Sequence, residues 1–198
     1  MSDIIRYFEK NKGYGRTKDL INSGIHPREI YKALEAREIE RIKPGLFKLV
    51  DFRWDETSNF VDICLAYKYA VICLTSALSY YDLSTFNPSG ISVAVPHNVV
   101  NFKKIKYPPH DVYYFRDRFY KPGIETVTSK SGKFRIYSRE KTICDMFRYR
   151  KKLGEDLALE GLKNYLKRKG ANIPRLMHYA EICRVKSIFT PYLKGILG

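Results

Sequence analysis

The chain has 198 residues, of which 44% are apolar and 14% aromatic, enough for a core in one large or two small domains and too apolar for a disordered chain. Its 36 basic and 21 acidic side chains leave a formal charge of +15, which attracts polyanions or acidic partners at long range. No apolar run follows Met1 and no stretch of about 18 apolar residues occurs, so a cytoplasmic location without signal peptide or membrane span is expected.

Asp3 to Lys12 reads as a helix whose Ile4, Ile5, Tyr7 and Phe8 share one apolar face. Gly13-Tyr14-Gly15 reads as a turn. It lacks the Gly-Lys-Ser/Thr continuation of a phosphate loop. A short helix is expected over Thr17 to Asn22, with Thr17 as its cap and Leu20 and Ile21 on its apolar side. Ser23-Gly24 breaks it, since glycine reaches the positive φ of a sharp turn. A second helix opens at His26-Pro27, where proline's missing N–H costs nothing. Ile30, Ala33 and Leu34 form its inner stripe, leaving Arg28, Tyr31, Lys32 and Glu35 to face a partner. Ile39 to Val50 then reads as a hairpin turning at Pro44-Gly45, with Arg41, Lys43 and Lys48 near its tip.

Two short helices, an SG turn and a basic hairpin have the order of a winged helix-turn-helix. Such a module places its second helix in the major groove and its hairpin on the phosphate backbone. Arg28, Tyr31 and Lys32 are the candidates for base edges. Arg16, Lys18, Arg41, Lys43 and Lys48 are the candidates for phosphates. Phe52 to Glu56 is a short link that predicts a domain boundary, giving residues 1–55 and 56–198.

Beyond the link, the spacing predicts helices over Ser58 to Tyr69 and Ser76 to Tyr81, with a β-prone run at Ala70 to Cys73 between them. Strands are expected at Ile91 to Pro96 and Asp111 to Arg116, and a hairpin at Ile124 to Thr128 and Lys133 to Tyr137 about Ser131-Gly132. Four helices follow, one from Arg139 capped by Ser138, then Asp156 to Arg168, Ile173 to Arg184 and Ser187 to Leu197. Helices grouped around one small sheet make the fold class α+β, with an N-terminal winged helix, a mixed domain and a C-terminal helical cluster. Cys64, Cys73, Cys144 and Cys183 form no C-x-x-C pair, and buried thiols are expected.

The phrases VICLTSALSYYDLS (71–84), ISVAVP (91–96), SREKTICDMF (138–147) and DLALEGL (156–162) resemble those of AbiEi-type antitoxins of type IV, abortive-infection toxin–antitoxin systems. The resemblance covers nearly the whole chain. It implies an N-terminal winged helix that represses its own operon by binding double-stranded promoter DNA. It also implies a C-terminal domain that counters a nucleotidyltransferase-like toxin without a stable complex. That family has an Arg-Thr pair before the motif aspartate, where this chain has Lys141-Thr142 and then Asp145. Lysine keeps the charge but loses the planar fork. At i, i+4 the pair reads as a solvent-facing helix contact worth about 0.2–0.5 kcal/mol, or as a structural element of the helix start.

No catalytic constellation, metal set or cofactor motif emerges. His26, His97, His110 and His178 are scattered. Asp145, Glu155, Asp156 and Glu160 could be pictured as nuclease metal ligands, but their helical spacing reads as a solvated face. Ser76 lacks a nucleophile turn, and it or Thr75 reads as a helix cap. Residues 1–55 carry 12 basic and 9 acidic side chains, leaving 24 and 12 for residues 56–198. That second excess raises an alternative, an RNA- or nucleotide-binding C-terminal domain. Its candidate patch is Lys103, Lys104, Lys106, Arg148, Arg150, Lys151 and Lys152, with Lys163, Lys167, Arg168 and Lys169 nearby in the chain. A nuclease is the third class.

Overall fold

The computed structural model describes residues 2–99 and 104–197. The fold is mixed α+β, divided into two compact units. The first unit is Met1–Lys68 with Lys103–Pro108 and Thr128–Phe134, and the second is Tyr69–Phe102, Pro109–Val127 and Arg135–Gly198. The division therefore does not fall at residue 55. The helix that follows the expected boundary supplies a buried aspartate to the N-terminal strands, as described below, and belongs with them.

In the first unit, α1 (Asp3–Lys10), α2 (Thr17–Asn22) and α3 (Pro27–Glu35) surround a small core that includes Ile4, Phe8, Leu20, Ile25, Ile30, Ala33, Ile39, Phe47 and Leu49. The strands are β1 (Tyr14–Arg16), β2 (Ile39–Lys43) and β3 (Leu46–Leu49), in spatial order β1-β3-β2, all antiparallel. β1 replaces part of the expected Gly-Tyr-Gly turn. Gly13 does turn, at φ +79°, where a Cβ would lie 2.6 Å from the Trp54 ring, but Tyr14–Arg16 then pairs with Leu46–Lys48. Thr17 is the first helical residue of α2, not its cap, and no side chain caps that end. His26 does cap α3, its ring nitrogen accepting from the Arg28 N–H at 3.1 Å. The last element of this unit in the N-terminal stretch is α4 (Ser58–Ala66).

The five-stranded sheet runs β6-β5-β4-β8-β7. Its strands are β4 (Val71–Ile72), β5 (Ile91–Pro96), β6 (His110–Phe115), β7 (Ile124–Thr128) and β8 (Lys133–Tyr137). β4 pairs antiparallel with β5 and parallel with β8, and β5 pairs parallel with β6, so the sheet is mixed. The helices of the second unit are α5 (Leu74–Tyr80), the unexpected one-turn α6 (Asp117–Tyr120), α7 (Arg139–Leu153), α8 (Glu155–Leu166), α9 (Ile173–Ile182) and α10 (Lys186–Leu197). Ser138 caps α7 by accepting from the Lys141 N–H at 3.3 Å. Gly161 of α8 lets Leu78 of α5 approach so closely that a Cβ would meet it at 2.7 Å. Thr75 and Ser76 are not caps. The Thr75 and Ser92 hydroxyls lie 2.9 Å apart, and the Ser76 hydroxyl accepts from the Ser92 N–H at 2.9 Å, so both fasten α5 to β5.

Candidate nucleic-acid interface

α3 is amphipathic in three dimensions as in the sequence. Ile30 and Ala33 are buried, while Arg28, Tyr31, Lys32 and Glu35 are exposed, Tyr31 at 63%. An outward tyrosine of that exposure contributes little to the fold and is available to a partner. Lys18 on α2 and Arg41 on β2 are also exposed, the Arg41 guanidinium standing 5.7 Å from the Phe47 ring centroid.

The remaining phosphate candidates are placed differently. Lys48 is not a tip cation: it is 8% exposed, its ammonium donates to Asp62 Oδ2 at 2.8 Å, and Glu40 Oε1 lies 3.1 Å away. β3 is buried at every position, so its lysine faces α4 instead of solvent. Burial works against the Lys48 charge, yet the hydrogen bonds and charges of Asp62 and Glu40 outweigh it and raise its pKa. Asp62 itself is 1% exposed and also accepts from the Tyr14 hydroxyl at 2.7 Å. Burial first, and then the Asp62 charge, push the Tyr14 phenol far above its usual range. The ring of Trp54 covers this network, 5.0 Å from the Tyr14 ring and 5.5 Å from the Lys48 ammonium.

Arg16 and Lys43 point at the carboxyl end of α4. Arg16 Nη2 donates to the Leu65 carbonyl at 3.1 Å, and the Lys43 ammonium donates to that of Ala66. Partial burial, and next the charge of Arg16, lower the Lys43 pKa. The hairpin tip is only the Pro44-Gly45 turn, and the Gly45 carbonyl accepts from the Thr17 N–H at 3.1 Å.

Within the second unit the candidate cations fall into two sets. Lys103 lies outside the described residues. Lys104 and Lys106 are exposed and belong to the first unit. Lys151 and Lys152 are exposed at the carboxyl end of α7, and Arg150 donates to the Phe147 carbonyl at 3.0 Å. Lys163, Lys167 and Lys169 are exposed at or just beyond the carboxyl end of α8, which packs beside the amino end of α7, as the 2.7 Å Tyr165–Glu140 hydrogen bond fixes. The two sets thus stand about 20 Å apart along the α7–α8 pair.

Arg148 is structural. Its Nε and Nη2 donate to Asp145 Oδ1 at 3.1 and 2.8 Å. Asp145 also accepts from Lys141, and Lys141 and Asp145 are both 0% exposed. The expected solvent-facing pair is therefore a fully enclosed one. Aromatic rings make this possible: Tyr137 lies 4.4 Å from the Lys141 ammonium, and Phe115, Phe119 and Tyr149 lie 4.3, 4.6 and 4.7 Å from the Arg148 guanidinium. Burial lowers the Arg148 pKa, but Asp145 more than reverses that, so it is raised. Burial pushes the neighbouring Cys183 thiol up to about 12, with Asp145 adding to it, so this sulfur is no nucleophile. The four cysteines are thiols and not disulfides, Cys73, Cys144 and Cys183 buried and Cys64 half-buried. Glu160, read as solvated, is half-buried and accepts from the Ser84 hydroxyl at 2.7 Å and the Thr85 N–H at 2.8 Å.

Among the described residues no group of three or more His, Cys, Asp or Glu side chains is placed to hold a metal ion, and no helix is long and apolar enough to cross a membrane. Comparison with protein-family models and with curated proteins returns no match.

Proposed function

We propose that the chain is a DNA-binding repressor with a winged helix-turn-helix at its N-terminus, which regulates its own operon and serves as the antitoxin to a nucleotidyltransferase-like toxin. The observation that carries the DNA reading is α3. Its Arg28, Tyr31 and Lys32 project from a helix whose opposite face is sealed into a small core. The order helix, strand, helix, helix, strand, strand around it supports the same reading. Arg28, Tyr31 and Lys32 reach base edges; Lys18 and Arg41 hold phosphates, with Arg16 and Lys43 beside them. Lys48 is left out because its charge is taken up by Asp62 and Glu40. The antitoxin role rests on the resemblance of the 71–84, 91–96, 138–147 and 156–162 phrases.

A gel shift tests the reading, with the protein's own upstream DNA against a scrambled duplex at physiological salt. The upstream DNA binds preferentially. Arg28→Ala costs about 1–3 kcal/mol and relaxes that preference, whereas Lys43→Ala weakens both duplexes alike. Equal binding to both duplexes by the parent protein overturns operator recognition.

A further inference from the structure

The buried cluster about Asp145 sets two cations, Lys141 and Arg148, against one carboxylate, and among the described residues neither cation is in ion-pair contact with a second. Lys141 and Asp145 are sealed, so the surplus positive charge has one outlet, the Arg148 side chain, which is 18% exposed. That outlet sits in a row of side chains in the second unit. The Arg118 guanidinium stands 5.2 Å from the Phe119 ring centroid, and that ring stands 4.6 Å from the Arg148 guanidinium. Arg148 stands 4.7 Å from the Tyr149 ring, which lies 5.4 Å from that of Tyr113, and the Lys152 ammonium is 5.0 Å from Tyr113. Arg118 of α6 and Lys152 of α7 are exposed, and Phe119 and Tyr149 are half-buried.

Along this row a cation is followed by a ring, a cation, two rings and a cation. Asp117, the carboxylate next to Arg118 in the chain, is taken by Lys121 at 2.8 Å. Cations alone would fit any polyanion, and rings alone an apolar partner. Their alternation fits a single nucleic-acid strand, in which phosphates alternate with flat bases that are free to leave the stack and lie on aromatic side chains. In a duplex the bases stack on one another, and rings set between the cations find no free base face.

We infer that Arg118, Phe119, Arg148, Tyr149 and Lys152 form a contact for single-stranded RNA. Arg118, Lys152 and the open edge of Arg148 hold its phosphates, and its bases lie on the half-buried Phe119 and Tyr149. Arg148 keeps its bonds to Asp145, and a phosphate supplies the negative charge that the cluster beneath lacks. RNA is the form in which cells keep free single strands. The inference goes beyond the DNA reading above and does not depend on it, since no residue of the first unit takes part.

The test is fluorescence anisotropy of the full chain with a labelled strand of about 20 uridines, between about 50 and 200 mM salt. Arg118→Ala/Lys152→Ala removes two exposed cations, and an unchanged melting curve verifies its fold. The double variant binds the strand more weakly. Its plot of log affinity against log salt is shallower by about 1.4, from about 0.7 per lost phosphate contact. Should its melting temperature fall, Lys152→Gln alone carries the test, with a slope shallower by about 0.7. Phe119→Leu keeps the parent slope and binds about 5-fold more weakly, because a base loses its ring. Upstream duplex DNA is bound alike by the parent and these variants. A parent protein that does not bind the uridine strand, or a double variant with the parent's affinity and slope, overturns the inference and leaves the α3 reading standing. An equal loss of duplex binding in the double variant, or unchanged affinity in Phe119→Leu, overturns the single-strand assignment. Tighter binding of a thymidine DNA strand of the same length overturns RNA as the occupant.

Discussion

Each unit is built around a buried aspartate, and the two work differently. Asp62 takes its donors from two strands, Tyr14 of β1 and Lys48 of β3, 48 and 14 residues away in sequence. It binds distant pieces of chain into one body. Asp145 takes both its cationic donors from its own helix, Lys141 one turn before and Arg148 one turn after, and a weaker one, the Cys183 thiol at 3.5 Å, from the end of α9. Apart from that thiol contact, it joins nothing that the helix does not already join. Its role is to neutralise charge on a helix buried on nearly every side, since Glu140 to Phe147 are all buried. One carboxylate against two cations leaves a surplus of one positive charge, which the faces of Tyr137, Phe115, Phe119 and Tyr149 accommodate. A buried ion can thus serve to assemble a fold or only to make a crowded interior tolerable.

The largest expected effect comes from Asp145→Ala, which strands two buried cations and costs about 3–5 kcal/mol in denaturant unfolding. Lys141→Met leaves Asp145 with both Arg148 hydrogen bonds and costs about 1–2 kcal/mol. Equal losses in the two variants would mean that Arg148 does not share the Asp145 charge, and the contrast between the units would collapse. Tyr14→Phe removes one hydrogen bond to a charged group from the other cluster while Lys48 stays in place. Its expected cost is about 1.5–3 kcal/mol, read from the same unfolding curves.

The smallest effect is one of pH, in the first unit. Burial alone would raise the Asp55 pKa, but donors from Thr57 and Ser131 reverse this and hold it at about 2. A carboxylate depressed in the folded state stabilises fully above its unfolded pKa, and that contribution disappears as pH falls through the folded value. The Asp55 contribution is therefore complete above about pH 4 and lost toward about pH 2. Asp55→Asn has a flatter stability profile across that window, measured as the urea midpoint at each pH. A variant as acid-sensitive as the parent there would remove Asp55 from the account.

Periodicity made most elements legible, because long amphipathic runs such as 156–166 and the Ser138 cap are local signals. The α3 face was legible for the same reason. What escaped depends on partners distant in sequence. β1 hides in a Gly-Tyr-Gly stretch and becomes a strand only because Leu46–Lys48 pairs with it. Lys48 read as a solvent cation since Asp62 falls on the far side of an apparent boundary. Lys141 and Asp145 have the spacing of a surface pair, and only the rings packed from β6, α6, β8 and α7 itself enclose their cluster.

The first unit is not one continuous piece of chain. The Thr128–Phe134 hairpin end belongs to it: the Ser131 N–H donates to Asp55 at 3.2 Å, the Ser131 hydroxyl accepts from the Asp55 N–H at 3.1 Å, and the Phe134 ring lies 5.5 Å from that of Phe60. A fragment ending at Lys68 forgoes all of these. The helix pair that carries Arg28 and Tyr31 is thus no transferable cassette. Neither a single protease cut nor a truncated gene releases its supporting unit whole, and in any exchange of modules it must travel with the chain that follows it.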